Sequence, residues 1–427
     1  MNAHALSTHE ADAAERSTAT ILVADSFSDD GLNTLRQLGC DVQVDASLDG
    51  DTLPDAIRTH QPDALIVRST KVPKSVFEAA EHLSLVVRAG AGYDTIDVGA
   101  ASARGISVAN CPGMNAIAVA ELAWGLILSC DRRIPDQTAD LRAGTWAKKR
   151  YAKAAGLYGR TLGIIGLGRI GREVATRGLA FGMNVIGWDP CLSESQADAM
   201  GVGYCEDLLN LVRMSDVMSI HVAAVPETRH LVGADFCDAM KPGATLINTS
   251  RGSVVDEAAL AQAIRDKGVQ AGLDVYANEP KAGDSTFEDP IVQEERVCGT
   301  HHIGASTTQA QEAIAEEAIR IIQTWMDVGT VLNCVNMASS TPASTILTVR
   351  HLNQPGVLAH IFEVLGRCHN NIEEMENVIY QGGAAAVARI QVDGGVSPED
   401  LALVRSHDAV LGATTALIQP HEAGAHS

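Results

Sequence analysis

Positive charge is what this sequence of 427 residues has least of. Its 32 Lys and Arg stand against 53 Asp and Glu, a formal net charge of −21, and only eight of the cations are lysines. A surface that acidic repels phosphate backbones and anionic headgroups, so neither nucleic acid nor membrane is expected as a partner. An anionic substrate remains admissible, but it needs a local cluster of Arg or Lys that reverses the field. The nine cysteines include no CxxC pair and no Cys/His spacing suited to zinc, so no metal is expected and the thiols read as reduced. Long hydrophobic runs are also missing. The longest, from Ala116 to Cys130, contains Glu121 and at about 1.5 Å per residue is too short to span a bilayer. The first twenty residues have no apolar segment and carry Glu10, Asp12 and Glu15, which speaks against a secretory or transit leader. A cytoplasmic protein with residues 1–18 as a disordered tail is the expectation.

What is present is ordinary globular composition, 46% hydrophobic and 20% charged, with a length of roughly three domains. Runs such as ATILVAD (19–25), DALIVRS (63–69), LSLVVRAG (83–90) and GISVANCPG (105–113) read as buried strands ending in turn residues. Helical spacing lies between several of them, and that alternation predicts a parallel sheet covered on both faces. A long helix is predicted from Asn115 to Ile134, and a second block of six strands begins at TLGIIGLGRIG (161–171). After a helix at 307–328, ASSTPAST reads as a linker (337–344), and the remainder (345–420) follows a βαββαβ order, the pattern of a ferredoxin-like α+β domain. The final HEAGAHS looks frayed.

GLGRIG fits GxGxxG in the context that gives the motif meaning, a strand before and a helix after. Gly166 can make the tight turn, Gly168 can admit a pyrophosphate against the backbone, and Gly171 can allow close helix packing. The next strand ends in Asp189, eighteen residues beyond Gly171, where a carboxylate accepts ribose hydroxyls and repels a 2′-phosphate. NAD is therefore expected over NADP. Arg251, Glu279 and His302 each lie just past an apolar run, and in a doubly wound sheet the carboxyl ends of parallel strands share one edge. An Arg can bind a carboxylate bidentately, a His can exchange a proton with a carbinol oxygen, and a Glu can orient that His. Taken singly, each could be a loop charge, a turn residue or a surface histidine.

TLGIIGLGRIG, NTSRGSVVDEAAL, GLDVYANEP and HHIGAST together resemble the D-isomer-specific 2-hydroxyacid dehydrogenases, over residues 19–336. The resemblance implies two doubly wound, Rossmann-like parallel-sheet domains: an NAD-binding domain at 115–302, and a discontinuous substrate-binding domain at 19–114 and 303–336. It implies Arg251 as the substrate-carboxylate ligand, His302 as general acid/base and Glu279 as its partner. It further assigns Arg169, Ile170, His221, Thr249 and Asp274 to the cofactor site. The family pattern has Pro where this chain has His301, and HVAAVPET replaces HxPLxxET, leaving Ala223 and Ala224 in the cofactor wall.

LIVRSTKV, RAGAGYDTIDV and VANCPGMNAIAVAEL are most similar to the branch that oxidises 3-phospho-D-glycerate with NAD at the entry to serine synthesis. This implies a small, phosphorylated 2-hydroxy acid as substrate and a dimer or tetramer as assembly. The required basic cluster is sought at Arg68 and Arg88, each ending an apolar strand, with Ser69, Gly90, Asn110 and Lys148 beside them. A glyoxylate or hydroxypyruvate reductase would not need that cluster, and a non-enzymatic NAD(H) sensor would not need His302. RHLNQPGVLAHIFEVLGRCHNNIEEM resembles an ACT regulatory domain. In serine-inhibited relatives, residues such as His351, Asn353 and Asn371 bind L-serine at a joint between two such domains; the alternative is a dimerisation module without a ligand.

Overall fold

The computed structural model describes residues 18–280 and 286–418; the expected tail, apart from Thr18, and the final HEAGAHS lie outside them. The chain divides into two units, Met1–Asn336 and Met337–Ser427. Among the described residues no helix is long and apolar enough to cross a membrane.

The first unit carries two parallel sheets. The smaller contains β1 (Thr20–Val23), β2 (Asp41–Val44), β3 (Ala64–Val67), β4 (Leu85–Arg88) and β5 (Ser107–Asn110), in the order β2-β1-β3-β4-β5. Ile21, Leu65 and Val86 are fully buried, as expected of strands covered on both faces. The helix Thr308–Val328 inserts Ile314, Ala318, Ile321 and Ile322 among Ile21, Val23, Ile66 and Val87. The chain thus returns to this sheet after the larger one is complete. Its exit is stitched down by the Val335 amide, which donates to the Val108 carbonyl at 2.7 Å.

The larger sheet contains β6 (Thr161–Ile165), β7 (Asn184–Trp188), β8 (Gly203–Tyr204), β9 (Val217–Ile220), β10 (Thr245–Asn248), β11 (Gln270–Leu273) and β12 (Val297–Gly299). Their order is β12-β11-β10-β9-β6-β7-β8. There are seven strands rather than the six expected, because β8 has two residues, too few to show a periodicity. Chain order reverses between β6 and β9, and ligands of doubly wound sheets bind at that crevice beyond the carboxyl ends. The helix Ala116–Arg132 ends in a left-handed Arg133 and packs through Ala123, Leu126 and Ile127, while Trp124 stacks on Phe181 at 4.4 Å. By contrast, the helices Ile134–Arg142 and Lys148–Tyr151 bury none of their residues.

The second unit is a four-stranded antiparallel sheet: β13 (Thr345–Leu352), β14 (Ile372–Ile379), β15 (Ala385–Val392) and β16 (Val410–Leu417), ordered β14-β15-β13-β16. Helices Val357–Arg367 and Pro398–Arg405 supply Ile361, Leu365 and Val404 to a core with Leu347, Val349 and Ile390. This is the βαββαβ arrangement read from the sequence.

Candidate active site

The turn after β6 is shaped by its glycines. Gly166 has φ +92°, and a Cβ there would lie 2.8 Å from the His221 carbonyl, so only glycine lets these two strand ends approach. A Cβ on Gly171 would meet the Gly166 carbonyl oxygen at 2.0 Å, whereas one on Gly168 would meet nothing within 4 Å. Gly168 therefore faces open space at the start of the twelve-residue helix Arg169–Ala180, whose first turn has no side-chain cap. Uncapped amides and a bare backbone fit a dinucleotide pyrophosphate. Asp189 accepts the Leu167 amide through Oδ2 and the Cys191 amide through Oδ1, both at 2.9 Å, which fixes the carboxylate and leaves about two lone pairs for ribose hydroxyls. Thr249 Oγ1 is buried without a partner, and Ile170 packs against the core of this lobe.

Arg169 reaches away from its own helix, donating through Nη1 to the Pro112 carbonyl at 3.1 Å. His221 shares a 2.7 Å hydrogen bond between its Nε2 and Ser219 Oγ, while its buried Nδ1 has no partner among the described residues. Desolvation lowers it to about 3, so it is neutral near pH 7. Asp274 is the organiser of the loop after β12. Its carboxylate accepts Thr300 Oγ1 at 2.6 Å and the Ile303 and Gly304 amides at 2.9 Å, and its carbonyl accepts the His302 amide at 2.8 Å.

On that loop His302 stands at φ +53°, a left-handed conformation uncommon outside glycine and held here by Asp274. Its Nδ1 lies 2.7 Å from Glu279 Oε2, while Glu279 Oε1 accepts the Tyr276 amide at 2.9 Å. Partial burial would raise the Glu279 carboxyl, but the His302 contact and the Tyr276 amide outweigh it and hold Glu279 below its ordinary value. With Nδ1 occupied, Nε2 is the ring nitrogen open for proton exchange. His301 is exposed and shows no comparable partner among the described residues.

Arg251 follows β10. Its Nε and Nη2 fork onto Asp94 at 3.4 and 3.0 Å, and Nη1 donates to the Ser250 carbonyl at 2.8 Å. Asp94 follows β4, so this pair ties the two sheets of the first unit together across the cleft. The approach is close: a Cβ on Gly92 would lie 2.0 Å from Arg251 Nη2. Burial would raise Asp94, yet the Arg251 fork, helped by Arg88, keeps it lowered.

Arg88 is lowered to about 10, by burial first and then by repulsion from Arg251, with Asp94 opposing and Arg68 adding more weakly. It remains charged near pH 7, and its buried Nε has no partner among the described residues. Gly90 stands at φ +150°, a backbone conformation that L side chains rarely adopt, so a substitution there is strained. Asn110 holds the neighbouring loop through a 2.6 Å bond from Nδ2 to the Ala91 carbonyl. The Arg68, Ser69 and Thr70 amides and the Ser69 hydroxyl all donate to Asp25, at 2.6–3.1 Å. Lys148 is not brought to this cluster by any contact among the described residues. It sits on an exposed four-residue helix whose Arg150 pairs with Asp140 and lies over the Tyr151 ring.

Asp25 and Asp94 were missed in the sequence. Asp25 closes the first apolar strand and was open to the strand-end argument that selected Arg251; Asp94 lies within a loop, and no pattern marks its partner 157 residues away.

In the second unit, His351 is buried, with Nε2 3.1 Å from Asn377 Oδ1, and Asn353 Nδ2 donates to the Gly383 carbonyl at 3.0 Å. Asn371 donates through Nδ2 to Glu373 and adjoins Ile372, which pairs with Val392 and through it with Thr345. Asn371 is thus at the Thr345 end of the sheet, and His351 is six residues along β13, roughly 20 Å away. One copy of the domain does not bring the three together.

A family model for the NAD-binding domain of D-isomer specific 2-hydroxyacid dehydrogenases matches residues 124–304. The D-3-phosphoglycerate dehydrogenase of Methanocaldococcus jannaschii is 41% identical over 309 residues, 71% of this chain and 57% of that one. The hydroxypyruvate reductase of Thermotoga maritima is 43% identical over 262 residues, 61% of this chain and 83% of that one. The solved structure of an NAD⁺-bound 3-phosphoglycerate dehydrogenase from Entamoeba histolytica aligns with a TM-score of 0.63 at 25% identity, covering 75% of this chain and 99% of that one. The chain belongs to the D-isomer-specific 2-hydroxyacid dehydrogenase family and carries its NAD-binding domain. It spans little more than half the length of the first of these relatives.

Proposed function

We propose that this chain oxidises 3-phospho-D-glycerate to 3-phosphohydroxypyruvate with NAD, the step that commits carbon to L-serine, in the cytoplasm. The observation that carries the reading is Arg88: a buried guanidinium whose Nε has no partner among the described residues, near Arg251 and Arg68, whose repulsion Asp94 offsets in part. Cations pressed together in a chain of net charge −21 are best rationalised by an anionic ligand that relieves their repulsion. Arg68 and Arg88 bind the phosphate and carboxylate, with Ser69, Gly90 and Asn110 shaping the loops that carry them.

Arg251 turns toward the substrate carboxylate and carbinol oxygen, and Asp94 keeps its fork oriented until the substrate arrives. His302 Nε2 takes the hydroxyl proton, and Glu279 stabilises the imidazolium that results. The nicotinamide supplies the hydride acceptor for C2 when NAD is bound. Gly166, Gly168, Gly171 and the first-turn amides hold the pyrophosphate, Asp189 holds the ribose, and Ile170, His221 and Thr249 line the remaining wall.

A second reading, hydroxypyruvate reductase, is favoured by the Thermotoga relative. Steady-state oxidation of NADH with phosphohydroxypyruvate, hydroxypyruvate and glyoxylate separates the two. The proposal requires kcat/KM to be highest for the phosphorylated acid. Arg88→Ala should raise KM for that acid roughly 10–100-fold more than for hydroxypyruvate, since a charge-assisted bond is worth about 1.5–3 kcal/mol. An equal rise for both would favour the reductase.

A further inference from the structure

The carboxyl half of the larger sheet holds two thiols that the chemistry above does not use. Cys298 lies in the edge strand β12 and registers with Gly272 of β11. A Cβ on Gly272 would fall 2.7 Å from Ile247 Cδ1, 2.9 Å from Leu126 Cβ and 3.4 Å from Cys130 Sγ, so the absent side chain lets the helix carrying Leu126 and Cys130 pack close to β11. Register partners in a parallel pair project to the same face, which places Cys298 beside Cys130 over Gly272. Both are free thiols. Cys130 is buried at the end of the helix Ala116–Arg132, Cys298 is partly exposed, and both line a small cavity with Ser129, Arg133, Asp136 and Val297.

We propose that Cys130 and Cys298 form a modification site, a dithiol that a hydroperoxide closes to a disulfide. The Cys298 thiolate attacks the peroxide O–O bond, becoming a sulfenic acid as the far oxygen leaves as water or alcohol. The Cys130 sulfur then displaces the sulfenic oxygen, the S–S bond forms and water departs. Two thiols lose two electrons and two protons, and one peroxide is reduced by the same amount. The environments suit these roles: the partly exposed Cys298 thiol is drawn down by the neighbouring Cys130 and Ser129 side chains, while the Cys298 neighbour and burial push Cys130 up.

The consequence reaches the active site along the chain. Four residues beyond Cys298 stands His302, and between them Thr300 is anchored on Asp274. Drawing Cys298 toward the buried helix shifts β12 and the loop that sets His302, a displacement that rests on the catalytic reading given above.

The test treats the reduced full chain with hydrogen peroxide, maps its peptides by mass spectrometry without reductant and assays NADH oxidation. A Cys130–Cys298 cross-linked peptide is expected, with activity falling roughly 10–100-fold, the scale of a misplacement of about 1 Å at a reacting group, and recovering on reduction. Cys298→Ser should abolish both effects and Cys191→Ser neither; if Cys298→Ser does not fold, dimedone trapping of the Cys298 sulfenic acid in Cys130→Ser serves instead. A wild-type map with Cys298 unmodified, or oxidised only as an unpaired sulfinic acid, overturns the site. A cross-link with unchanged activity overturns the coupling to His302. Because the cross-link is read by mass, it stands or falls independently of which acid is the substrate.

Discussion

The two units handle distant residues in opposite ways. In the first, Arg251, Glu279 and His302 come from three separate strand ends, yet His302 and Glu279 meet at 2.7 Å, because parallel strands deliver all their carboxyl ends to one edge. In the second, His351 and Asn353 end one strand and Asn371 begins another; β13 and β14 both pair antiparallel with β15 and so run in the same sense, which leaves the end of one and the start of the other at opposite ends of the sheet. A parallel sheet can complete a site within one copy. In the second unit a ligand touching His351, Asn353 and Asn371 together would need a second copy, the arrangement expected for an L-serine effector.

The largest effect that would break the comparison lies in the first unit. His302→Ala should lower kcat about 10²–10⁴-fold with little change in NADH affinity, and His301→Ala far less, as steady-state kinetics will show. Reversed effects would mean that the strand-end geometry selected the wrong histidine. In the second unit the expected coupling is smaller. L-Serine should raise the apparent KM or lower kcat by roughly 5–150-fold, equivalent to about 1–3 kcal/mol. Truncation after Asn336 and Asn353→Ala should each remove that response. Calorimetry without serine binding in the full chain would leave this unit as a dimerisation module. The smallest effect concerns pH. Glu279 is held below its ordinary value, so its contribution to stability is present above the ordinary carboxylate range and is lost as pH falls through the lowered value. The difference in Tm between wild type and Glu279→Gln should therefore shrink on acidification, and a constant difference would sever the contact from ionisation.

Much of the first unit was legible because its signals are local. Buried strands are continuous apolar runs, GLGRIG needs its glycines at φ +92° and at a 2.0 Å approach, and each candidate catalytic group follows its strand directly. Lys148 shows the limit: expected beside Arg68 and Arg88 as a substrate ligand, it lies exposed on a helix that buries nothing, and its neighbour Arg150 pairs with Asp140. Asp274, expected at the cofactor, has its carboxylate engaged by Thr300, Ile303 and Gly304, partners 26 to 30 residues away.

By itself the sequence determined the two parallel sheets, the βαββαβ unit, the glycine-rich turn after β6 and the strand-end placement of Arg251, Glu279 and His302. Those follow from periodicity and from backbone demands that only particular residues meet. Tertiary structure alone decided that Asp94 restrains Arg251, that Asp25 clamps the Arg68 loop, that Arg88 lies buried near Arg251, Asp94 and Arg68 and that Cys130 packs beside Gly272. Each of these joins segments whose separation in the chain carries no period, and their energies arise from burial and charge proximity, which exist only once the sheets have packed.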